Sequence, residues 1–421
     1  MSVTPHRSAR PIAQHSSARR PRALTRALRA LGIAIAVVLV SGVAVVGYVV
    51  SDLTAAVAHN SVQLEGGPVT APDIGAYKNG FNLLVVGIDA CEPKYADLFP
   101  GRCDGPDASS VNNDVTVLMH VSNTPRRITV VSFPRDMIVP VPSCTAKDGT
   151  KVSAQSAAQI NTTYDEGGLP CVAKTVSALS GQQVDFAAAV NFGTVIDITN
   201  AIGGVQVCLA TPIDDAYTGL DLSAGEHTIQ GLQALQFLRT RHGLVSGSDL
   251  ARIGNQQQYL ASLARQLTSG KVLSNVPEVL KIATIALSNL EASTTLKNPA
   301  TILQLALAVK DVPPSDITFI QYPNATDPQD PNRVVPDDAS ANTLWAAVAA
   351  NQPVLITHQN TVNDGVTVEP GTPPATPAPG AGAASTPSSA PTPAPSAVAL
   401  SENVRGSTAA QQTCTNGDTS G

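Results

Sequence analysis

Residues 30–50 read ALGIAIAVVLVSGVAVVGYVV, a run of 21 residues without a charge. A helix needs about 20 such residues to cross a bilayer, so this run predicts one transmembrane helix. Seven arginines (Arg7, Arg10, Arg19, Arg20, Arg22, Arg26 and Arg29) precede it with no acidic residue among them, and Ser51–Asp52 follow. The positive-inside rule then places the N-terminus in the cytoplasm and the bulk of the chain outside, making a single-pass protein of the cell membrane. A cleaved signal peptide competes with this reading, since AVAHN at 56–60 offers small residues. The apolar run exceeds the roughly 7–15 residues usual for such a peptide. A basic arm for nucleic acid is the other competitor, and no folded reader accompanies it.

The formal net charge of −6 hides an asymmetry: beyond residue 29 there are 19 basic and 32 acidic side chains. An acidic exterior argues against nucleic acid as a partner, so any anionic ligand must be held by a few local arginines. The six cysteines (Cys91, Cys103, Cys144, Cys171, Cys208 and Cys414) form no CxxC pair and have no zinc-like His spacing. An even number in an exported chain favours disulfides. The pairing stays open, although Cys91 and Cys103 bracket one loop and Cys414 could reach Cys208.

The expected organisation is a basic stub at 1–29, the membrane helix at 30–50, a connector at 51–79, a folded exterior domain at 80–360, and a Pro/Ala-rich disordered tail at 366–421. The tail composition cannot bury enough apolar surface to offset chain entropy. Strands are expected at 81–88, 114–121, 127–133, 185–192, 205–210 and 317–323. Helices are expected at 168–181, 193–204, 231–242, 253–270, 276–293, 299–310 and 341–351. Near-continuous apolar strands alternating with helices indicate an α/β sheet covered on both faces.

Four segments could carry chemistry. Asp89 ends one strand, Asp114 opens the next, and Arg135–Asp136 ends a third; strand ends are where crevices form in open α/β sheets. Two carboxylates there could hold Mg²⁺, although Asp at a strand end is also an ordinary turn residue. The fourth is FLRTRHGLVSGSDLARIGNQQQ, in which Arg239, Arg241 and Arg252 supply forked donors suited to phosphate and Gln256 lies one turn after Arg252. The arginines form two sequence groups, Arg126–Arg127–Arg135 and Arg239–Arg241–Arg252. No GxSxG, HExxH, Walker or dinucleotide element stands in a fitting context, and His227 and His242 lack a Ser partner at motif spacing.

Seven pieces in order, from NLLVVGIDA through RRITVVSFPRDMIV and LQALQFLRTRH to SDLARIGNQQQYL, span roughly 80–270 and resemble the LytR-CpsA-Psr proteins of bacterial envelopes. The resemblance implies a three-layer α/β/α domain with a mixed central sheet. It also implies a Mg²⁺-dependent phosphotransferase that moves a phosphoglycan from a polyprenyl-pyrophosphate carrier to peptidoglycan. By motif, Asp89 and Asp114 would be metal-associated and Arg135 would contact phosphate. Arg239, Arg241, Arg252 and Gln256 would complete the clamp, and Asp249 matches the acidic position ahead of the RI pair. Two family arginines are Asn112 and Asn255 here, and the loop after Asp89 is enlarged and carries two cysteines, with Arg102 a candidate substitute.

Three functions remain open at this level. The first is the transferase, with arabinogalactan as the first expectation for the glycan from the GC-rich style of the composition, and teichoic acid or capsule as options. The others are a hydrolase that splits the carrier pyrophosphate and a non-catalytic carrier-binding scaffold.

Overall fold

The structure is a computed structural model that describes residues 61–64, 77–105, 108–269, 273, 275–296, 298–358, 365–368 and 397–419. The basic stub and the apolar run at 30–50 lie outside the described residues. Among the described residues no helix is long and apolar enough to cross a membrane.

The central sheet grows from a meander. Strands β2 (Phe81–Ile88), β3 (Asn113–Val121) and β4 (Ile128–Phe133) pair antiparallel, with Leu84 opposite Leu118 and Leu118 opposite Val131. All six residues of β4 are buried, as expected for a strand covered on both faces. Further partners are β1 (Ser61–Val62), β5 (Phe186–Val190), β9 (Glu291–Ser293), β10 (Ile317–Gln321) and β12 (Gly406–Thr408). The sheet order is β1-β9-β5-β2-β3-β4-β10-β12. The β1–β9, β5–β2 and β4–β10 pairs are parallel and the rest antiparallel, so the sheet is mixed.

Alternate strand residues feed two cores. On one face Leu84, Val86, Leu118 and Val131 pack with α1 (Thr163–Ser180) and α7 (Asp338–Ala349). On the other, Phe81, Val117, Val130 and Phe186 pack with α4 (Asp249–Ser269), α5 (Val276–Asn289) and α6 (Pro299–Val309). The three-layer architecture follows from this period-two division. Two further helices, α2 (Phe192–Ala201) and α3 (Gly231–Arg239), precede α4. A third core gathers around β6 (Val205–Leu209), β7 (Ile213–Asp215), β8 (Gly225–Ile229) and α3.

The expected limits of the domain need correcting at both ends. Residues 61–62, placed in the connector, form the sheet edge β1. The region expected as a disordered tail contributes β11 (Val366–Val368), β12 and β13 (Thr413–Thr415). β12 pairs antiparallel with β10, and β13 sits between β6 and β11 in a four-stranded sheet. The composition argument failed here because it averaged over the whole segment. Short edge strands need few residues when partners already exist; the Pro/Ala-rich stretch itself, 369–396, lies outside the described residues. Three disulfides are present: Cys91–Cys103, Cys144–Cys171 and Cys208–Cys414, the last joining β6 to β13.

Candidate active site

Antiparallel connection puts the end of β2, the start of β3 and the end of β4 at one edge of the sheet. Asp89, Asp114 and Arg135 therefore meet although 46 positions separate the first from the last. Arg135 Nη1 donates to Asp114 Oδ1 at 2.9 Å. The last turn of α3 brings Arg239, and the first turns of α4 bring Asp249, Arg252 and Gln256. Arg126 and Arg127 do not join them, contrary to the grouping expected from sequence. They precede β4 whereas Arg135 follows it, about 20 Å of extended chain away, and they bind Asn79 O and Asn351 O at 3.1 and 3.0 Å.

A buried charge network underlies the cluster. Asp249 sits between two guanidiniums, with Oδ1 2.5 Å from Arg252 Nη2 and 3.4 Å from Arg135 Nε. Burial raises the Asp249 pKa against the opposing pull of Arg252 and Arg135. Burial lowers that of Arg252, although Asp249 and Asp114 oppose it. For Arg135 burial is the largest influence and disfavours the cation, but Asp114, Asp249 and Asp136 together outweigh it, so its pKa is raised. Arg252 Nε is buried without a hydrogen-bond partner among the described residues, whereas Arg135 Nε faces the Asp249 and Asp136 carboxylates at 3.4 and 3.6 Å. An unmet donor on a buried cation suits an anionic ligand. Asp136 bridges outward, with Oδ2 3.6 Å from Arg135 Nε and Oδ1 2.8 Å from Arg333 Nη1.

Arg239 is held differently. Its guanidinium lies over the rings of Phe192 and Phe99, 4.3 and 5.7 Å from their centroids. Phe99 belongs to the enlarged 90–112 loop, which the Cys91–Cys103 bridge closes. This loop docks on α2: Tyr95 Oη donates to Asp197 at 2.6 Å, Lys94 pairs with Asp197 at 2.8 Å, and Gly193 N–H donates to Glu92 at 2.5 Å. A Cβ at Gly193 would lie 2.4 Å from Glu92 and Tyr95, so glycine is needed for that approach. The same loop delivers Arg102, which pairs with Asp89 Oδ1 at 3.4 Å and donates to the Ser110 carbonyl. Asn112 contributes its backbone N–H to Asp89 at 2.7 Å.

Behind the arginines opens a cavity of about 610 Å³. Its floor is the sheet face carrying Leu83, Val85, Val117 and Met119; Val195 of α2 and Leu260 of α4 form part of its walls. Asp114, Arg135, Arg239, Arg241, Arg252 and Gln256 also line it. Asp89 does not; it stands beside the rim with Arg102. The Gln256 amide donates to Leu238 O at 2.9 Å, tying α4 to α3. Asn255 is fully buried, donating to Phe237 O at 2.6 Å and accepting from Thr415 Oγ1 at 2.7 Å.

Sequence reasoning missed Asp215. Its carboxylate, 1 % exposed, accepts from Tyr217 and Thr218 N–H on one oxygen and from Thr240 Oγ1, Arg241 N–H and Gly243 N–H on the other. Burial opposes its ionisation, but these hydrogen bonds prevail and its pKa is lowered. Asp215 thereby fixes the Arg239–Gly243 segment. No motif announced it, because its partners are mostly backbone groups whose positions only the fold defines.

Burial, and more weakly the neighbouring Asp114 charge, raise the Asp89 pKa; a cation shared by the two carboxylates would relieve that repulsion. Among the described residues no group of three or more His, Cys, Asp or Glu could hold a metal. Mg²⁺ often takes only one or two protein carboxylates and completes its shell with water and substrate phosphate, which the Asp89–Asp114 pair fits.

The site thus joins an arginine cluster to the mouth of an apolar cavity within an α/β/α domain. The profile of the LytR_cpsA_psr family matches residues 46–350, and the chain belongs to that family. It is 28 % identical over 315 residues to the cell wall biosynthesis protein LcpA of Corynebacterium glutamicum, covering 69 % of this chain and 58 % of that one. It is 26 % identical over 251 residues to the polyisoprenyl-teichoic acid–peptidoglycan teichoic acid transferase TagT of Bacillus subtilis, covering 58 % of this chain and 70 % of TagT. The chain thus spans little more than half the length of LcpA. The crystal structure of protein gbs0355 from Streptococcus agalactiae matches with a TM-score of 0.50 at 20 % identity, covering 65 % of this chain and 87 % of that one, which supports the fold.

Proposed function

We propose that this protein is a membrane-anchored phosphotransferase that moves a phosphoglycan from a polyprenyl-pyrophosphate carrier to a hydroxyl of peptidoglycan outside the cell. One observation carries the reading: four arginines converge at the mouth of an apolar cavity of about 610 Å³. Such a site takes a ligand with a charged head and a long hydrocarbon tail, and a polyprenyl pyrophosphate is that ligand. The transferase names of relatives such as TagT support the same chemistry, and the apolar run at 30–50 supports the membrane anchor. The arabinogalactan expectation carries over as the finer part of this proposal.

In the reaction the acceptor hydroxyl oxygen attacks the sugar-bearing phosphorus, the P–O–P bridge breaks, and polyprenyl phosphate leaves. The anhydride supplies the driving force. Catalysis then rests on positioning and on neutralising charge over the phosphoryl oxygens. Arg135, Arg239, Arg241 and Arg252 grip those oxygens, while Asp249 and Gln256 hold the clamp in place. Asp89 is our choice to accept the hydroxyl proton. Asp89 and Asp114 would hold Mg²⁺, which supplies further charge neutralisation at the pyrophosphate.

The test is an in vitro assay with a polyprenyl-pyrophosphate glycan, peptidoglycan fragments and Mg²⁺, comparing the parent with Arg239→Ala. Glycan joined to peptidoglycan by the parent and lost in the variant is the expected result. Phosphate release without linkage would replace the transferase with a hydrolase. Carrier binding with neither product would reduce the protein to a scaffold.

A further inference from the structure

Tyr217 is the most exposed large apolar side chain among the described residues, at 80 %. Water contact over so much of an aromatic ring is unfavourable for folding, yet this ring is not on a mobile end. Its backbone N–H and that of Thr218 bind the buried Asp215 carboxylate, whose other oxygen binds the Thr240–Gly243 segment. One buried side chain therefore fixes the Tyr217 loop and the Arg241–His242 segment relative to each other. The Tyr217 and His242 rings pack in a tilted arrangement, with centroids 4.2 Å apart and planes inclined by 32°. Arg241 Nη2 lies 3.2 Å from His242 Nε2. Tyr217, Arg241 and His242 all border the cavity that the arginine clamp borders.

An exposed, rigidly displayed aromatic face with hydrogen-bonding groups at its edge matches the amphipathic chemistry of a sugar ring. The C–H face of a pyranose covers the aromatic surface, and its hydroxyls reach the guanidinium and imidazole. We propose that Tyr217 and His242 form a subsite for a pyranose ring of the carrier-linked glycan. This rests on the function proposed above, which puts Arg241 on the pyrophosphate. The sugar bonded to that pyrophosphate must leave the clamp beside Arg241, where the platform lies. A peptidoglycan sugar shares the chemistry, so the experiment separates donor from acceptor.

The experiment measures the affinity of the full chain, in detergent, for two probes: bare polyprenyl pyrophosphate, and the same carrier bearing one N-acetylhexosamine. Tyr217→Ala should weaken binding of the sugar-bearing carrier about tenfold and leave the bare carrier unchanged, while Tyr217→Phe keeps affinity within about twofold. Equal weakening of both probes, or of neither, overturns the subsite. So does an effect confined to the KM for peptidoglycan fragments, which would assign the platform to the acceptor. Arg239→Ala separates the two readings: it should weaken both probes. If the parent binds neither probe, the carrier reading fails and the subsite falls with it.

Discussion

Replacing Asp215 by Asn keeps the shape of the side chain and removes half its accepting capacity. The amide oxygen would take the side with more donors, Thr240 Oγ1 at 2.5 Å with Arg241 and Gly243 N–H at 3.1 and 3.2 Å. The amide NH₂ then faces the N–H groups of Tyr217 and Thr218, which lose their acceptor. Those two residues are not buried, so water can satisfy part of the loss. Hydrogen bonds to a charged group contribute about 1.5–3 kcal/mol and neutral ones about 0.5–1.5. Counting the weakened and the lost bonds, the substitution should cost about 2–4 kcal/mol. Urea unfolding of residues 53–421, which form one compact unit, measures this. The pH dependence adds a second check. The folded pKa of Asp215 is lowered, so its contribution is complete above the unfolded value near about 4. It is lost as pH falls through the folded value. The gap between parent and Asp215→Asn should hold from neutral pH to about 5 and shrink below about 4. A cost under about 0.5 kcal/mol at pH 7, or a gap undiminished in acid, would refute the assignment of Asp215 as the anchor.

Three further outcomes are expected. Asn255→Arg, which restores the residue usual in the family, should lower stability by about 3 kcal/mol or more in urea unfolding, because it forces a guanidinium into a fully buried position; transfer activity should not rise. Cys208→Ser with Cys414→Ser opens a covalent loop with a separation of 206 residues and should cost up to about 5 kcal/mol on a loop-entropy estimate, seen as a lower melting temperature than that of the parent under oxidising conditions. Val195→Trp, which fills part of the cavity, should weaken binding of a long-chain carrier at least about tenfold while a short-chain pyrophosphate analogue binds as before.

Legibility in the sequence followed the range of the interaction. The meander of β2, β3 and β4 was readable because each strand is a local apolar run and SNTPR marks the turn between the last two. The helices expected at 276–293 and 299–310 are present at 276–289 and 299–309, but the end of the first expectation, 291–293, is strand β9. Asp114, Arg135, Arg239 and Arg252 stood out as charges at element ends, and the fold brings them to one cavity mouth. Three things were hidden. Asp215 acts through backbone donors that no residue pattern encodes. The aromatic rings around Arg239 come from Phe99 and Phe192, far apart in sequence and joined only by loop docking. Asn255 read as a lost arginine of the clamp, but its amide holds Thr415 in β13, a contact with a segment expected to have no fold. The departure at Asn255 and the ordered C-terminal strands are therefore one structural feature.

That feature bears on how the chain matures. Strand β10 buries all five of its residues, and its outer edge is covered only by β12, which arrives almost ninety residues later. A chain synthesised from its N-terminus would present Ile317, Phe319 and their unpaired backbone groups until β12 had been made. Exposed edges of this kind recruit other strands, and distant pairings form slowly. Assembly of the sheets thus ends with the C-terminal strands, and oxidation of Cys208 with Cys414 locks them in. Cutting the chain at residue 365 would remove no arginine of the clamp, yet it would leave an open sheet edge, an unpaired Cys208 and a buried Asn255 without Thr415. The completeness of the C-terminal strands, rather than the presence of the clamp residues, would then decide whether a folded protein accumulates.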